Sequence, residues 1–264
     1  MMAGEIVGGV LTGSLMLLSD AAHMGSHVLA LVVSYGAIRL AASRPGARSH
    51  FGLYRAEVLA AFVNGLSVLG FTLFILIEAV DRYQNPVAIA GLELFVIALL
   101  GLLVNIATTM LLARTGASDL NTRSAMVHML GDLLSSVAVV AGAAVLLVTG
   151  WAWVDLVLSV LVALLILVWG VGLLRDAGGT LLELSPIGVD IEDVRRTVLR
   201  EVPAVRDLHD VHLWDITSGY RCVTAHVVVA EQGLSESVAI REAVASVLGE
   251  RFGVVHATLQ LEAG

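Results

Sequence analysis

The sequence predicts a helical membrane domain followed by a small domain of mixed α and β structure. Hydrophobic residues make up 58% of the 264 residues, and the mean hydropathy of +0.90 is too high for an ordinary soluble domain. Apolar runs of about 20 residues, the length that crosses a bilayer, recur through the first two thirds of the chain. The last third carries amphipathic helix and strand patterns instead. We therefore expect a membrane domain over 1–178 and a soluble domain over 179–264.

The membrane domain contains six apolar segments. The first is short for a span and starts inside an apolar run, without the charged region that precedes an ordinary first helix or a signal peptide. We expect that this first helix is truncated, or that the chain is a fragment or has a misassigned start. The predicted segments are 1–17, 19–41, 56–79, 89–113, 123–148 and 153–175.

Arginine placement predicts the orientation of these helices. The sequence contains no lysine, and its arginines concentrate in alternate loops and after the sixth segment, whereas the opposite loops hold only Arg82. By the positive-inside rule, the arginine-rich side and the region from 180 onward are cytoplasmic. The compact loops favour a bacterial plasma membrane. The net charge of −8 argues against nucleic acid as a partner.

The last third predicts the element order αββαβ. Helical periodicity at 191–202 is followed by two strand patterns, 205–216 and 220–230, joined by a turn signal at Thr217–Gly219. A second amphipathic helix follows, with Ser235 as its expected N-cap, and a last strand ends at Glu262. This order indicates a small α+β domain with its helices on one face of a sheet. The only cysteine, Cys222, excludes an intrachain disulfide and is interpreted as a small strand residue.

Two pairs of ligating residues lie in the membrane segments at helical spacing. His23 and His27 lie four residues apart in the second segment, and His128 and Asp132 have the same spacing in the fifth. Residues i and i+4 share one helix face, so each pair projects two ligands from one side of its helix. Single polar residues in membrane helices usually join helices through hydrogen bonds, but two matched pairs favour a site. Three imidazoles and one carboxylate suit a tetrahedral divalent cation such as Zn²⁺.

Other candidate residues have weaker signals. Asp20 precedes His23 by one turn, so it could steer cations as an outer gate or orient a ligand by accepting a hydrogen bond from it. The alternative is that it caps the helix together with Ser19. His50 lies in a cytoplasmic loop, where a single histidine is usually without a special role, although it could join an entrance site.

The soluble domain gathers further ligand types. Strand alternation puts Asp210 and His212 on one face and His209 on the other. We expect that His209 and His226 can pair with an acidic partner from the last strand, such as Glu262. The alternative, ordinary polar strand residues, stays open.

Together these segments resemble the cation diffusion facilitator family over essentially the whole chain. The resemblance is carried by LTGSLMLLSDAAHM, FGLYRAEVLAAFVNG, GLLVNIATTMLL, LNTRSAMVHMLGDLLSSVAVV, VDLVLSVLVALLIL and HDVHLWDITSGYRCVTAHVVV. It implies six membrane helices, a cytoplasmic ferredoxin-like domain, a homodimer, and proton-driven export of Zn²⁺ or a similar ion. The family's central site would fall on His23, His27, His128 and Asp132.

The chain departs from the family at one ligand position. Many zinc members have aspartate where this chain has His27, and the added nitrogen ligand also suits Co²⁺ and Ni²⁺. We therefore expect a divalent metal/proton antiporter for Zn²⁺, with export of Co²⁺, Ni²⁺ or Cd²⁺ as the alternative. A sensor that binds metal without transporting it is a second alternative. An intramembrane metallohydrolase is disfavoured because no general-base glutamate accompanies the histidines, so we do not expect an enzyme.

Overall fold

The computed structural model describes residues 2–42, 51–114, 120–231 and 233–264, without the side chains of 114 and 120–128. Six helices precede an αββαβ region, which confirms the predicted fold class. The elements are α1 (Met2–Thr12), α2 (Leu15–Ala41), α3 (Arg55–Gln84), α4 (Gly91–Arg114), α5 (Leu120–Thr149), α6 (Trp153–Leu181), α7 (Ile191–Glu201), β1 (Val205–Thr217), β2 (Tyr220–Val229), α8 (Leu234–Phe252) and β3 (Val254–Ala263).

The chain divides into two compact units. The first comprises Met1–Val32 and Val63–Gly172, and the second comprises Val33–Phe62 and Leu173–Gly264. In the described part of the chain, five helices, α2 to α6, are long and apolar enough to cross a membrane, whereas α1 is a shorter apolar helix.

The end predicted for the first segment is wrong. The predicted segment continues to residue 17, but α1 ends at Thr12 and α2 begins at Leu15. Gly13 lies between them with φ +72°, a left-handed conformation that glycine adopts without a steric penalty. Hydropathy cannot reveal such a break, because the residues on both sides of it are equally apolar.

The corner between α1 and α2 is held by a carboxylate from α6. Asp155, which is 2% exposed, accepts hydrogen bonds from the Ser14 hydroxyl and from the backbone N–H groups of Leu15 (2.9 Å) and Met16 (3.2 Å). The first N–H groups of a helix have no partner within it, and its N-terminus favours negative charge. Asp155 therefore caps α2 from a neighbouring helix, which explains how a carboxylate is accommodated in an apolar bundle.

The second unit contains a three-stranded sheet in the order β1-β2-β3, with β1 and β2 antiparallel and β2 and β3 parallel. Gly219 closes the predicted turn between β1 and β2 with φ +76°. Helices α7 and α8 bury apolar residues against one face of this sheet. This core includes Val194, Val198, Val223, Val227, Val244 and Leu248.

The N-cap predicted for α8 is wrong. Gly233 is the N-cap, with extended backbone and no side-chain hydrogen bond, and the helix begins at Leu234. Ser235 therefore already lies in the first turn. The other cap of this helix is Gly253, whose φ of +68° lets its N–H bond to the carbonyl groups of Gly249 and Leu248.

Candidate metal centre

The centre of the first unit carries two histidines on one face of α2. His23 and His27 lie one turn apart, and their Nε2 atoms are 3.3 Å from each other. The rings meet edge to face, with centroids 4.5 Å apart. Helical spacing alone produces this convergence, as the sequence predicts.

A carboxylate from α5 completes a three-residue group. Asp132 Oδ1 lies 3.2 Å from His23 Nε2, and one ligand atom from each of the three residues lies within 4.8 Å of the others. His23 is 7% exposed, and the other two residues are partly buried. Ligands about 2.0–2.1 Å from a tetrahedral Zn²⁺ are about 3.3 Å from each other, so the two short distances match the edges of such a site.

The side chains of two further candidate ligands, His128 and His50, lie outside the described part of the chain. The backbone of α5 includes His128, one turn before Asp132, but its side chain is outside the described part of the chain. His50 lies in the segment 43–50, which is also outside the described residues.

Serine hydroxyls surround the three-residue group. Ser26 donates to the His23 carbonyl oxygen at 2.7 Å. Ser135 lies within hydrogen-bond distance of the Asp132 carbonyl oxygen, at 2.9 Å, and of Asp20 Oδ1, at 3.3 Å. Ser135 therefore joins the backbone that carries Asp132 to a second carboxylate on α2.

Asp20 is 4% exposed and lies within α2, which begins five residues earlier. The interpretation of Asp20 as the N-cap of this helix is therefore wrong. The remaining interpretation, a carboxylate that acts on the site, fits its hydrogen bond to Ser135.

The second unit contains another group of two histidines and one carboxylate. His209 and His226 are direct partners across β1 and β2, with ring centroids 5.3 Å apart. Glu262 of β3 reaches both, with Oε1 2.8 Å from His226 Nδ1 and Oε2 3.5 Å from His209 Nε2. These three residues form the pairing that we expected, and their ligand atoms lie within 4.8 Å of one another.

A bulge in β1 places a further acidic residue, Asp210, beside His212 and His226. Asp210 has φ +50° and lies in the register shift between His209 and His212. Its carboxylate is 3.0 Å from His212 Nε2 and 3.7 Å from His226 Nε2. Asp210 therefore links His212 to the group of His209, His226 and Glu262. Strand alternation agrees with the contact between Asp210 and His212, but it did not predict the approach of Asp210 to His226, because the bulge interrupts the alternation.

A further carboxylate lies beside His209. The Arg195 guanidinium donates to Asp207 and holds the pKa of that carboxyl below its usual range. Asp207 Oδ2 lies 4.0 Å from His209 Nδ1. Because Asp207 stays ionised, it adds negative charge next to His209, a member of the group formed by His209, His226 and Glu262.

Sequence reasoning missed Glu5 and Ser135. Glu5 is an ionisable residue in an apolar helix and is 2% exposed, which is itself a signal of function in a membrane protein. Ser135 had no sequence signal that separates it from the many serines that bond to their own helix.

Comparisons with known proteins cover nearly the whole chain. Residues 1–182 match the cation efflux transmembrane domain, and residues 186–264 match the cytoplasmic domain of cation efflux proteins. The metal cation efflux system protein CzcD of Cupriavidus metallidurans is 38% identical over 98% of this chain and 81% of its own length. The zinc transporter ZitB of Escherichia coli is 38% identical, over 98% and 82%.

Two further matches have different extents. The cadmium, cobalt and zinc/H(+)-K(+) antiporter of Bacillus subtilis is 36% identical over 98% of this chain and 83% of its own length. A solved structure, the metal-bound C-terminal domain of the CzcD transporter from Cupriavidus metallidurans, is 31% identical, with a TM-score of 0.25, over 28% of this chain and 99% of that chain. The two matched domains and these relatives show that the chain belongs to the cation efflux family, the cation diffusion facilitators.

Proposed function

We propose that this chain exports divalent metal cations from the cytoplasm in exchange for protons, with Zn²⁺ as its main substrate. The proposal is supported by the relatives, whose names include a zinc transporter and a cadmium, cobalt and zinc antiporter. It is also supported by the three-residue group in the membrane helices, the single observation that carries it. It describes a transporter and not an enzyme.

The proposed transport site consists of His23, His27, His128 and Asp132. An imidazole binds metal only when it is neutral, so protons and metal compete for the same nitrogen atoms. The Nε2 atoms of His23 and His27 are 3.3 Å apart, so their lone pairs cannot face each other unless a hydrogen carried by one of them, or a metal ion, lies between them. Either a proton or a metal ion satisfies this requirement, which makes the two mutually exclusive.

The choice of metal depends on the charge of this site. Three neutral imidazoles and one carboxylate leave a net charge of +1 around a divalent ion, where a second carboxylate would leave none. The extra positive charge is unfavourable in a low-dielectric setting, whereas nitrogen ligands suit Co²⁺ and Ni²⁺ as well as Zn²⁺. We propose that His27 broadens the range of ions to include Co²⁺, Ni²⁺ and Cd²⁺.

We propose that the protein is a homodimer in the plasma membrane. Residues 1–178 form the transport domain, and residues 179–264 form a cytoplasmic domain that dimerises. Rocking of helices would expose the transport site to each side of the membrane in turn. Metal bound by His209, His226 and Glu262 would stabilise the dimer and promote transport.

Metal flux into proteoliposomes with an imposed pH gradient tests the proposal. Wild-type protein should take up Zn²⁺, and Asp132→Asn should abolish the uptake because it removes the charged ligand. Asp81→Asn is the matched control, since Asp81 is an exposed carboxylate on α3. We expect His27→Asp to change the order in which Zn²⁺, Cd²⁺, Co²⁺ and Ni²⁺ are transported.

Two results would contradict the proposal. Metal binding without flux of any ion in the wild type would favour the sensor instead. Unchanged flux in Asp132→Asn would exclude this group as the transport site.

A further inference from the structure

We propose that Glu5 and Asp20 form a proton-binding carboxylate pair that supplies protons to the transport site. This inference rests on the proposed metal/proton exchange and identifies where the counter-ion is held. It concerns Glu5, to which no role has been assigned above.

Glu5 lies on the buried face of α1. It is 2% exposed and shares that face with Gly8, Gly9 and Thr12. Within the described residues, its Oε2 atom is buried and has no hydrogen-bond partner. An ionised carboxylate in this position is strongly unfavourable unless a cation or a proton accompanies it. The atom is therefore suited to bind one.

The register of α1 against α2 places Glu5 next to the transport site. A Cβ atom on Gly9 would lie 2.7 Å from Leu18 Cγ, and one on Gly25 would lie 3.4 Å from Met2 Sδ. A Cβ atom on Gly8 would lie 3.1 Å from Leu17 Cδ2, so in this antiparallel register the paired residue numbers add up to between 25 and 27, and Glu5 lies opposite the stretch from Asp20 to Ala22. It is therefore level with the turn of α2 that runs from Asp20 to His23.

Asp20 connects this pair to α5. Its Oδ1 atom lies 3.3 Å from the Ser135 hydroxyl, which also lies 2.9 Å from the Asp132 carbonyl oxygen. Asp132 in turn contacts His23 at 3.2 Å. Polar groups thus connect Asp20 to the metal ligands through Ser135 and Asp132.

The charges around Glu5 favour one proton on the pair. The negative charge of Asp20 acts on Glu5, and two carboxylates in a low-dielectric region repel each other. Among the described residues, His23 of α2 and Asp132 of α5 also act on Asp20. Helix α4, which also packs against α1, has ionisable side chains only at its ends, Glu93 and Arg114.

The pair would act in a defined order. While metal occupies the site, the pair carries one proton. When the metal leaves to the outside, this proton passes to the vacated imidazole, and the pair takes up another proton from the outside. When the site opens to the cytoplasm and metal binds again, the imidazole releases its proton to the cytoplasm, so each cycle carries one proton inward by this route. No bond other than those to the proton forms or breaks.

The variant Glu5→Gln tests the inference because it preserves shape and removes the titratable group. Its metal transport and proton counter-transport are measured in proteoliposomes between pH 6 and pH 8, together with Zn²⁺ binding in detergent. We expect Zn²⁺ affinity close to wild type, a flattened pH profile of transport, and a loss of up to about one counter-transported proton per metal ion. Glu5→Asp should restore the pH response, and Glu93→Gln, an exposed glutamate on α4, is the matched control.

Two outcomes would overturn the inference while leaving the proposed function intact. The first is wild-type transport with an unchanged pH profile and proton count in Glu5→Gln. The second is a loss of Zn²⁺ affinity in Glu5→Gln, which would make Glu5 a metal ligand instead. By contrast, absence of transport in the wild type would contradict the proposed function itself.

Discussion

The membrane group (His23, His27 and Asp132) and the sheet group (His209, His226 and Glu262) use the same ligand types in different surroundings. In the first, His23 and His27 come from one helix and Asp132 from another, and the ligands are buried or partly buried. In the second, His209, His226 and Glu262 come from three strands, and one of them is exposed. A buried ligating group needs a hydrogen-bond partner, a proton or a metal ion, whereas an exposed one can bond to water instead. We infer that burial, more than ligand identity, distinguishes the two groups. The buried membrane group is suited to exchange a metal ion for a proton, and the more exposed sheet group is suited to bind a metal ion reversibly.

The largest expected difference between the two groups is in transport. We expect His23→Gln to reduce metal flux by at least about 100-fold, because it removes a proposed ligand of the transported ion, and loss of a ligand costs more than loss of a group that only positions one. His226→Gln should reduce it by less than about tenfold. Initial rates of Zn²⁺ uptake into proteoliposomes measure both. Equal losses in the two variants would refute the division of roles.

The next largest effect concerns the N-terminal caps of two helices: α2, which carries His23 and His27, and α7, which packs against the sheet. Asp155→Ala removes three hydrogen bonds to a buried carboxylate at the start of α2, and we expect a loss of about 2–4 kcal/mol in the free energy of unfolding. Asp190→Ala removes a single exposed N-cap bond from α7 and should lose about 1 kcal/mol.

Thermal unfolding in detergent, followed by circular dichroism, compares the two caps. A smaller effect at Asp155 than at Asp190 would mean that the contact from α6 contributes little to the position of α2.

A smaller effect is expected for metal binding in the sheet. In an Asp132→Asn background, Glu262→Gln should weaken Zn²⁺ binding by about tenfold, because Glu262 contacts both histidines. His212→Ala is the control, since His212 lies outside the three-residue group. Calorimetric titration of the full chain measures both affinities. Equal weakening in both variants would place His212 among the ligands.

The smallest effect is expected at the surface pair of Arg195 and Asp207. Because the folded-state pKa of Asp207 lies below its usual range, the pair contributes stability at neutral pH that disappears as the pH falls through that lowered pKa. Arg195→Ala should therefore lower the melting temperature slightly at pH 7 and leave it unchanged in strong acid. A difference from wild type that grows towards acid pH would contradict this sign.

The fold class could be predicted because it depends on patterns that the sequence displays directly. Runs of apolar residues long enough to cross a bilayer identify α2 to α6, and a change to amphipathic patterns identifies the αββαβ region. The break at Gly13 could not be predicted, because both sides of it are apolar. The cap that Asp155 provides could not be predicted either, because the start of α2 lies about 140 residues away in sequence and only the fold brings the two together.

The candidate sites were predictable to different degrees. Helical spacing places His23 beside His27 without knowledge of the fold, and the chemistry of Asp132 suggested its role. The sheet group required the register of β1 against β2, which the sequence only suggests. Alternation placed Asp210 beside His212, but its approach to His226 could not be predicted, because alternation assumes a regular strand and Asp210 occupies a bulge.

The bulge at Asp210 also determines how β1 would respond to the deletion or insertion of one residue. Leu208 pairs with Val227 and Leu213 with Val223, so five residue steps on β1 match four on β2. Both leucines are buried, which is possible only because one extra residue shifts the phase of the strand between them. Deletion of Asp210 would therefore give a regular ladder with both leucines still facing the core. An insertion at the same place would turn one end of the strand over.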